Sequence, residues 1–164
     1  MSNQFSTTVV TSAMNSEQGE DCLGKSLVRI LLVDDFEPFR RFVFSMLQKQ
    51  PGLEVIGESR DGLEAVQRAE ELKPDLILLD IGLPRLNGIE VARQIRYTCP
   101  CSKILFVTEN DSPEIAQAAL NIGARGYVIK SEAAGELLAA VEAVLLGKQF
   151  VSKQLAGHGL TGDA

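Results

Sequence analysis

The amino-acid sequence predicts an α/β fold, a doubly wound sheet of five parallel strands with helices on both faces. Five short apolar runs alternate along the chain with segments whose apolar residues recur at helical spacing. This alternation indicates βα units joined by right-handed crossovers. The chain has 164 residues, which suits one domain with tails.

The first two βα units lie in the amino-terminal half of the predicted domain. Residues 28–34 form the first strand around the apolar run ILLV, and Pro38 suits the first turn of the helix behind it. Residues 53–57 form the second strand, and Pro74 lies beyond the end of the second helix. The apolar positions at helical spacing are Phe39, Phe42, Val43, Met46 and Leu47, then Ala65, Val66, Ala69 and Leu72. Each strand is therefore followed by an amphipathic helix.

Three further units complete the predicted sheet. Their strands are residues 75–80, 103–108 and 126–129. Ser112 as the cap and Pro113 at the first helical position open the fourth helix, and the fifth helix ends near Gly147. The helical apolar positions are Ile89, Ala92 and Ile95, then Ile115, Ala116, Ala119 and Leu120, then Leu137, Leu138, Val141, Val144 and Leu145.

The two ends of the chain lack these patterns. Residues 1–26 are rich in Ser, Thr, Asn, Gln and Glu without periodicity, and we expect a flexible amino-terminal tail. Residues 148–164 contain no clear element, and we expect a short, partly mobile carboxyl-terminal tail or a truncated linker. The predicted domain is therefore residues 27–147.

Composition and charge exclude several classes of protein. The formal net charge is −6 and the pI is about 4.9, which argues against nonspecific binding to nucleic acid or to anionic membranes. No run of 18 apolar residues predicts a membrane span, and the amino terminus does not resemble a signal peptide. The three cysteines, Cys22, Cys99 and Cys101, have no metal-binding spacing. We interpret them as reduced thiols of a cytoplasmic protein.

Acidic, hydroxyl and basic side chains stand where four predicted strands end. Asp34 and Asp35 come at the end of the first strand, and Asp80 ends the third. Thr108 ends the fourth strand and Lys130 follows the fifth. In such sheets ligands bind beyond the carboxyl ends of the strands, so we expect these side chains to meet at one edge. Three close carboxylates need a cation, and ligands that are all oxygen favour Mg²⁺.

The chain from about residue 28 to residue 147 resembles the receiver domain of bacterial two-component response regulators. The residues that carry the resemblance are the acid pair Asp34–Asp35, Asp80 in LLDIGLP, Thr108 in FVT and Lys130 in YVIK. The resemblance implies a flavodoxin-like receiver fold with five parallel strands in the order 2-1-3-4-5. The segments GARGYVIK and GKQFVSKQLAG are most like those of receivers that precede a helix-turn-helix domain.

The resemblance also implies a chemistry for the acids. Asp80 would accept a phosphoryl group from a phosphohistidine or a small acyl phosphate. Asp35, Asp80 and the backbone carbonyl of Gly82 would bind Mg²⁺, and Asp34 would support the ion through its waters. Mg²⁺ and Lys130 would then offset the repulsion between the carboxylate and the anionic phosphoryl group.

The resemblance also implies a conformational switch. Thr108 and Lys130 would contact the phosphoryl oxygens. Tyr127, three residues before Lys130, stands where the family has a switch aromatic, and its ring would turn inward after Thr108 moves. The face made by the fourth helix, fifth strand and fifth helix would change shape for a partner. The alternative interpretation of Tyr127 is a plain half-buried aromatic residue.

The implied function is phosphorelay signalling in the cytoplasm rather than enzymatic turnover. The expected partners are a sensor histidine kinase or a histidine phosphotransfer protein, together with an unknown output partner. A homodimer is possible in this class, whereas direct contact with nucleic acid or a membrane is not expected from this chain.

Three residues beside the phosphoryl position are expected to set the lifetime of the phosphorylated state. Glu109 follows Thr108 where the family often has a small residue, and Gly82 and Asn110 flank the same position. We expect them to affect phosphoryl lifetime more than affinity.

Two other functions are compatible with parts of the sequence. A receiver truncated from a DNA-binding transcription regulator would have the same sequence features, and the native stop codon would distinguish it. A phosphatase of the haloacid-dehalogenase kind also forms an aspartyl phosphate. It needs the motif D-x-D after the first strand, whereas this chain has Asp34-Asp35-Phe36-Glu37.

Overall fold

Six parallel strands form one sheet in the order β2-β1-β3-β4-β5-β6. This computed structural model describes residues 27–160, so the predicted amino-terminal tail, residues 1–26, lies outside the described residues. The strands are β1 (Val28–Val33), β2 (Leu53–Ser59), β3 (Leu76–Leu79), β4 (Lys103–Thr108), β5 (Gly126–Ile129) and β6 (Phe150–Val151). The doubly wound parallel sheet and the order 2-1-3-4-5 of its first five strands are confirmed, and a sixth strand extends the sheet.

Helices connect the strands and cover both faces of the sheet. They are α1 (Glu37–Gln48), α2 (Gly62–Leu72), α3 (Gly88–Thr98), α4 (Pro113–Asn121), α5 (Ala133–Leu145) and α6 (Lys153–Ala156), with a 3₁₀ turn at Lys130–Glu132. Side chains cap three of them: Asp61, Asn87 and Ser112 each accept a backbone N–H three residues ahead. Within the described residues, none of these helices has the length and apolarity needed to cross a membrane.

Alternate residues of each central strand enter opposite halves of the core. Leu31, Ile77 and Phe106 pack on the side of α2, α3 and α4, together with apolar residues of those helices. Ile30 and Leu76 pack on the other side, against α1 and α5. Because both faces of the central strands are buried, their carboxyl ends are held in fixed relative positions.

The carboxyl-terminal segment is ordered where the sequence predicted no element, so that prediction is wrong for residues 150–156. β6 pairs with the edge of β5. The N–H of Phe150 donates to the Arg125 carbonyl at 3.2 Å, and the N–H of Ser152 donates to the Tyr127 carbonyl at 2.9 Å. The buried hydroxyl of Ser152 also accepts the N–H of Ile129 and donates to Glu136. A strand of two residues is too short to show periodicity, and these contacts, rather than a sequence pattern, define it.

The loop after β3 closes tightly against the start of α3. A Cβ atom at Gly88 would lie 2.0 Å from the carbonyl oxygen of Asp80 and 2.7 Å from Cα of Ile81. The Gly88 N–H also donates to the Ile81 carbonyl at 2.8 Å. Glycine at this position therefore lets the helix start directly beside the end of β3.

Replacing Gly88 with alanine is expected to lower the free energy of unfolding by about 1–3 kcal/mol, because backbone atoms must move to admit the methyl group. Urea unfolding measures this change. Gly135→Ala is the matched control, since a Cβ there meets nothing within 4 Å and alanine favours the helix by about 0.5–1 kcal/mol. Equal urea midpoints for the two variants would contradict the expectation.

Candidate functional site

Three aspartates meet at the carboxyl edge of the sheet. Asp34 and Asp35 directly follow β1, and Asp80 directly follows β3. The two strands are paired with Val33 opposite Leu79, so the acids that follow lie side by side. One carboxylate oxygen from each aspartate lies within 4.8 Å of the others. Asp34 and Asp80 are buried, whereas Asp35 is exposed.

Lys130 brings a positive charge to the two buried acids. Its Nζ lies 2.8 Å from Oδ2 of Asp34 and 3.1 Å from Oδ2 of Asp80. The same ammonium lies 4.7 Å from the centre of the Phe39 ring, close enough for a cation–π contact. The Lys130 side chain is 10% exposed, so water screens this charge only weakly.

Backbone amides hold the remaining oxygens of the buried carboxylates. The N–H of Phe36 donates to Oδ1 of Asp34 at 2.9 Å. The N–H of Ile81 donates to Oδ1 of Asp80 at 2.7 Å. Each buried carboxylate is thus oriented by one amide and one ammonium, which fixes its rotation.

The local electrostatics reflect both burial and charge. Burial raises the pKa of the Asp34 carboxyl above its ordinary value, and the charge of Asp80 adds to that rise. Burial alone would lower the pKa of Lys130, but its hydrogen bond to Asp34 and the charges of both aspartates raise it overall. Lys130 therefore stays protonated at neutral pH.

An open cleft adjoins the acids on the solvent side. It is lined by Asp35, Phe36, Asp80, Ile81, Gly82, Thr108, Glu109, Asn110 and Lys130. Thr108 is buried at the end of β4, and its Oγ1 accepts the N–H of Asn110 at 3.4 Å. The acids, Gly82, Thr108 and Lys130, all expected from the sequence to share one site, are therefore brought together.

Magnesium fits the donor set of this cleft. Asp34, Asp35 and Asp80 offer carboxylate oxygens only, and no histidine or cysteine lines the cleft among residues 27–160. Within the same residues, the Asp35 carboxylate has no hydrogen bond or ion pair, so its oxygens remain available. Few carboxylates with room for water are what Mg²⁺ takes, whereas zinc prefers nitrogen or sulfur.

The ring of Tyr127 points inward in this structure. From the sequence, we expected this ring position only after phosphorylation. Its ring is fully buried, 6.1 Å from the ring centre of Phe106. The hydroxyl donates to the backbone carbonyl of Asn110 at 2.8 Å. The ring is fully buried rather than half-buried, because the β4–α4 loop closes over it, and the switch role of Tyr127 stays a prediction.

Burial of Tyr127 predicts a pH dependence of stability. Burial, with the charges of Asp80 and Asp111, raises the pKa of the phenol. The folded state then holds a proton that the unfolded state loses, so stability falls as the pH rises above the ordinary tyrosine pKa. Urea unfolding in alkaline buffer should show a steeper loss for the unchanged protein than for Tyr127→Phe. Parallel pH profiles would contradict the buried phenol.

Two residues of the site were not recognised from the sequence. Helical spacing predicts Phe39 only as part of the apolar face of the helix, yet its ring lies against the Lys130 ammonium. No sequence motif includes Arg40, yet its guanidinium donates to the backbone carbonyl of Asp34 at 2.8 Å. The signal available was their place in the first turn of the helix after the acid pair, since that turn faces the strand end.

Comparison with known proteins finds relatives over most of the chain. A family profile described as the response regulator receiver domain matches residues 30–142. The response regulator GacA of Pseudomonas viridiflava is 33% identical over 130 residues, which cover 79% of this chain and 61% of GacA. The transcriptional regulatory protein LiaR of Bacillus subtilis is 35% identical over 135 residues, 82% of this chain and 64% of LiaR. The chain thus spans about three fifths of the length of these relatives.

Solved structures are similar over the same region. The crystal structure of a LuxR-family two-component response regulator from Aurantimonas sp. SI85-9A1 has a TM-score of 0.77 and 36% identity, covering 80% of this chain and 94% of that chain. The signal receiver domain of the response regulator NarL from Mycobacterium tuberculosis has a TM-score of 0.71 and 31% identity, covering 75% of this chain and 99% of that chain.

Proposed function

This chain belongs to the response regulator receiver domain family, and from that premise we propose that it is a phosphoryl-accepting switch in two-component signalling. Asp80 accepts the phosphoryl group from a sensor histidine kinase or a histidine phosphotransfer protein, in a reaction that depends on Mg²⁺. The observation that carries the proposal is the ammonium of Lys130, bonded to Asp34 and Asp80 beside the cleft that Asp35 and Thr108 line.

Transfer to Asp80 joins two anionic groups. A carboxylate oxygen forms a bond to phosphorus as the bond from phosphorus to the donor nitrogen, or to the oxygen of an acyl phosphate, breaks. Lys130 offsets the combined negative charge from a fixed position, with Nζ 3.1 Å from Oδ2 of Asp80. The amide of Ile81 holds the other oxygen at 2.7 Å, so the carboxylate is oriented before the donor arrives.

The carboxylates are also the proposed ligands of the metal ion. Asp35, Asp80 and the backbone carbonyl of Gly82 would hold Mg²⁺, and Asp34 would support it through bound water. When bound, the ion supplies positive charge that offsets the carboxylates and the phosphoryl oxygens. Asp35 keeps its carboxylate exposed at the mouth of the cleft, where an ion can reach it from solvent.

The added phosphoryl charge would affect the α4–β5–α5 face through a series of hydrogen bonds. The phosphoryl group adds about −1.5 to −2 charges and strong acceptor oxygens, toward which the hydroxyl of Thr108 turns. Oγ1 of Thr108 accepts from the N–H of Asn110, and the carbonyl of Asn110 accepts from Tyr127. Movement of Thr108 therefore shifts the loop that closes over Tyr127, and the α4–β5–α5 face changes population between two arrangements.

Glu109 is proposed to act with Gly82 and Asn110 on the lifetime of the phosphorylated state. All three line the cleft, and Glu109 places an exposed carboxylate beside the phosphoryl position. We expect Glu109→Ala to change the dephosphorylation half-life more than the rate of phosphorylation. An unchanged half-life would remove Glu109 from this role.

The partners follow from this function as further proposals. A histidine-containing donor protein meets the cleft in the cytoplasm, and the α4–β5–α5 face serves an output partner or a second copy of the chain. A second candidate is the receiver portion of a DNA-binding transcription regulator. The name of LiaR, together with its greater length, favours this candidate, and the stop codon of the native gene separates the two.

Intact mass measurement tests the proposed function. The protein is incubated with Mg²⁺ and a small acyl phosphate, and a gain of one phosphoryl group is expected. Asp80→Asn should show no gain, because its amide is not a nucleophile for phosphorus at neutral pH. Asp111→Asn, which changes an exposed acid outside the acid cluster, is the matched control and should behave as the unchanged protein does.

Failure to gain mass with either the small donor or a phosphorylated donor protein would overturn the proposed function. An equal gain in Asp80→Asn would instead overturn the assignment of the accepting residue.

A further inference from the structure

Arg40 ties the acid pair to the neighbouring strand. Its guanidinium donates from Nη1 to the backbone carbonyl of Asp34 at 2.8 Å and from Nε to Oε1 of Glu58 at 2.7 Å. The Arg40 side chain is only 11% exposed, and Glu58 lies in β2 opposite Leu32 of β1. Two donors of one guanidinium, which together form a fork, therefore connect Glu58 of β2 to Asp34 after β1.

The carbonyl that Arg40 holds belongs to the peptide between Asp34 and Asp35. A peptide is planar, so fixing its carbonyl fixes the direction in which the next Cα leaves it. The N–H of Asp34 donates to the Ser59 carbonyl at 3.0 Å, which holds the other side of the residue on β2. Asp35 itself has no partner in the described residues, so this peptide is what orients it.

Charge alone does not explain the placement of Arg40. The cation that contacts the carboxylates is Lys130, whereas Arg40 reaches the main chain behind them. Two donors at a fixed angle on one planar group are needed to hold the Asp34 carbonyl and Glu58 together. A lysine supplies one ammonium and cannot reproduce that fork.

We propose that Arg40 is a positioning residue that sets the direction of the Asp35 carboxylate and thereby the affinity of the cleft for Mg²⁺. The inference rests on the proposed function, because it assigns a role toward the ion that the function requires. Arg40 acts through the Asp34–Asp35 peptide and touches neither the ion nor the phosphoryl group.

Calorimetric titration of Mg²⁺ into folded protein is the test. Arg40→Lys keeps the charge and loses the fork, and its dissociation constant for Mg²⁺ is expected to rise about tenfold or more, as for other residues that orient a metal ligand. Arg41→Lys is the matched control: Arg41 is the next residue of α1, is 78% exposed and pairs only with Glu37 among the described residues. Its Mg²⁺ affinity should match that of the unchanged protein.

A second readout uses the protein without metal. The N–H of Phe36 donates to the Asp34 carboxylate across the same peptide, so its hydrogen exchange should be faster in Arg40→Lys than in Arg41→Lys.

Glu58→Gln keeps an acceptor oxygen for Nε of Arg40 and should bind Mg²⁺ nearly as the unchanged protein does. If Arg40→Lys is unfolded, Arg40→Gln, which keeps one amide donor, takes its place with the same expectation.

The outcomes separate the inference from the function on which it rests. A less stable Arg40→Lys with unchanged Mg²⁺ affinity and unchanged Phe36 exchange would show a merely structural role and overturn the inference. Absence of Mg²⁺ binding by the unchanged protein would overturn the proposed function and the inference with it.

Discussion

Replacing Lys130 with methionine is expected to lower the free energy of unfolding by about 3–5 kcal/mol at neutral pH in the absence of Mg²⁺. The change leaves the buried carboxylates of Asp34 and Asp80 without the ammonium that lies 2.8 and 3.1 Å from them, and an uncompensated buried charge costs about that much. Methionine keeps the length and apolar stem of lysine, so the loss reports the charge more than the packing. Urea unfolding measures it.

The loss of unfolding free energy caused by Lys130→Met should become smaller as the pH falls. Burial already holds the pKa of Asp34 above its ordinary value, and Lys130 opposes that rise. Without Lys130 the pKa rises further, and a carboxyl with a raised folded pKa stabilises the folded state when it is protonated. Stability of the variant therefore increases as the pH falls through that raised pKa.

Lys148→Met is the control for Lys130→Met, because Lys148 is exposed and follows the carboxyl end of α5, whereas Lys130 precedes the start of that helix. It should unfold as the unchanged protein does. Equal stability of the two variants at neutral pH would mean that the buried acids do not depend on Lys130.

Mg²⁺ is expected to stabilise the unchanged protein and to lose that effect in Asp35→Asn. A ligand that binds only the folded state at a hundredfold excess over its dissociation constant adds about 2.7 kcal/mol. Asp35 is the exposed member of the three-aspartate cluster, and replacing its carboxylate removes a ligand that Mg²⁺ requires.

The sign of the Asp35→Asn effect should reverse without the ion. Three carboxylates whose oxygens lie within 4.8 Å of one another repel, so removing one charge should make the metal-free variant more stable than the unchanged protein. Glu70→Gln, an exposed acid on α2, is the control and should alter neither response. An equal gain of stability with Mg²⁺ in Asp35→Asn would place the ion elsewhere.

The positions of the clustered aspartates could be predicted because the ends of apolar strands can be recognised in a sequence. An apolar run that stops at Asp34, and another that stops at Asp80, locate the carboxyl ends of β1 and β3. Parallel pairing then places those residues side by side without any knowledge of side-chain contacts. The roles of Asp80 and Lys130 came from the resemblance and remain proposals.

The features that were missed depend on tertiary packing. β6 has two residues and is defined by pairing with β5 and by the buried hydroxyl of Ser152, neither of which leaves a periodic pattern. The inward ring of Tyr127 depends on where the carbonyl of Asn110 lies, which is a property of the folded loop. In the sequence Arg40 is one of two adjacent arginines on a predicted helix. Only the folded structure shows which of the two contacts Asp34.

The most direct measurement of the central claim locates the phosphoryl group on the chain. After incubation with Mg²⁺ and an acyl phosphate, borohydride reduces an aspartyl phosphate to homoserine, and peptide mass spectrometry identifies the converted residue. We predict conversion at Asp80 alone, dependent on Mg²⁺ and lost in Asp80→Asn. Conversion at Asp34 or Asp35, or none in a protein that has gained the mass of a phosphoryl group, would contradict the claim that Asp80 accepts the group.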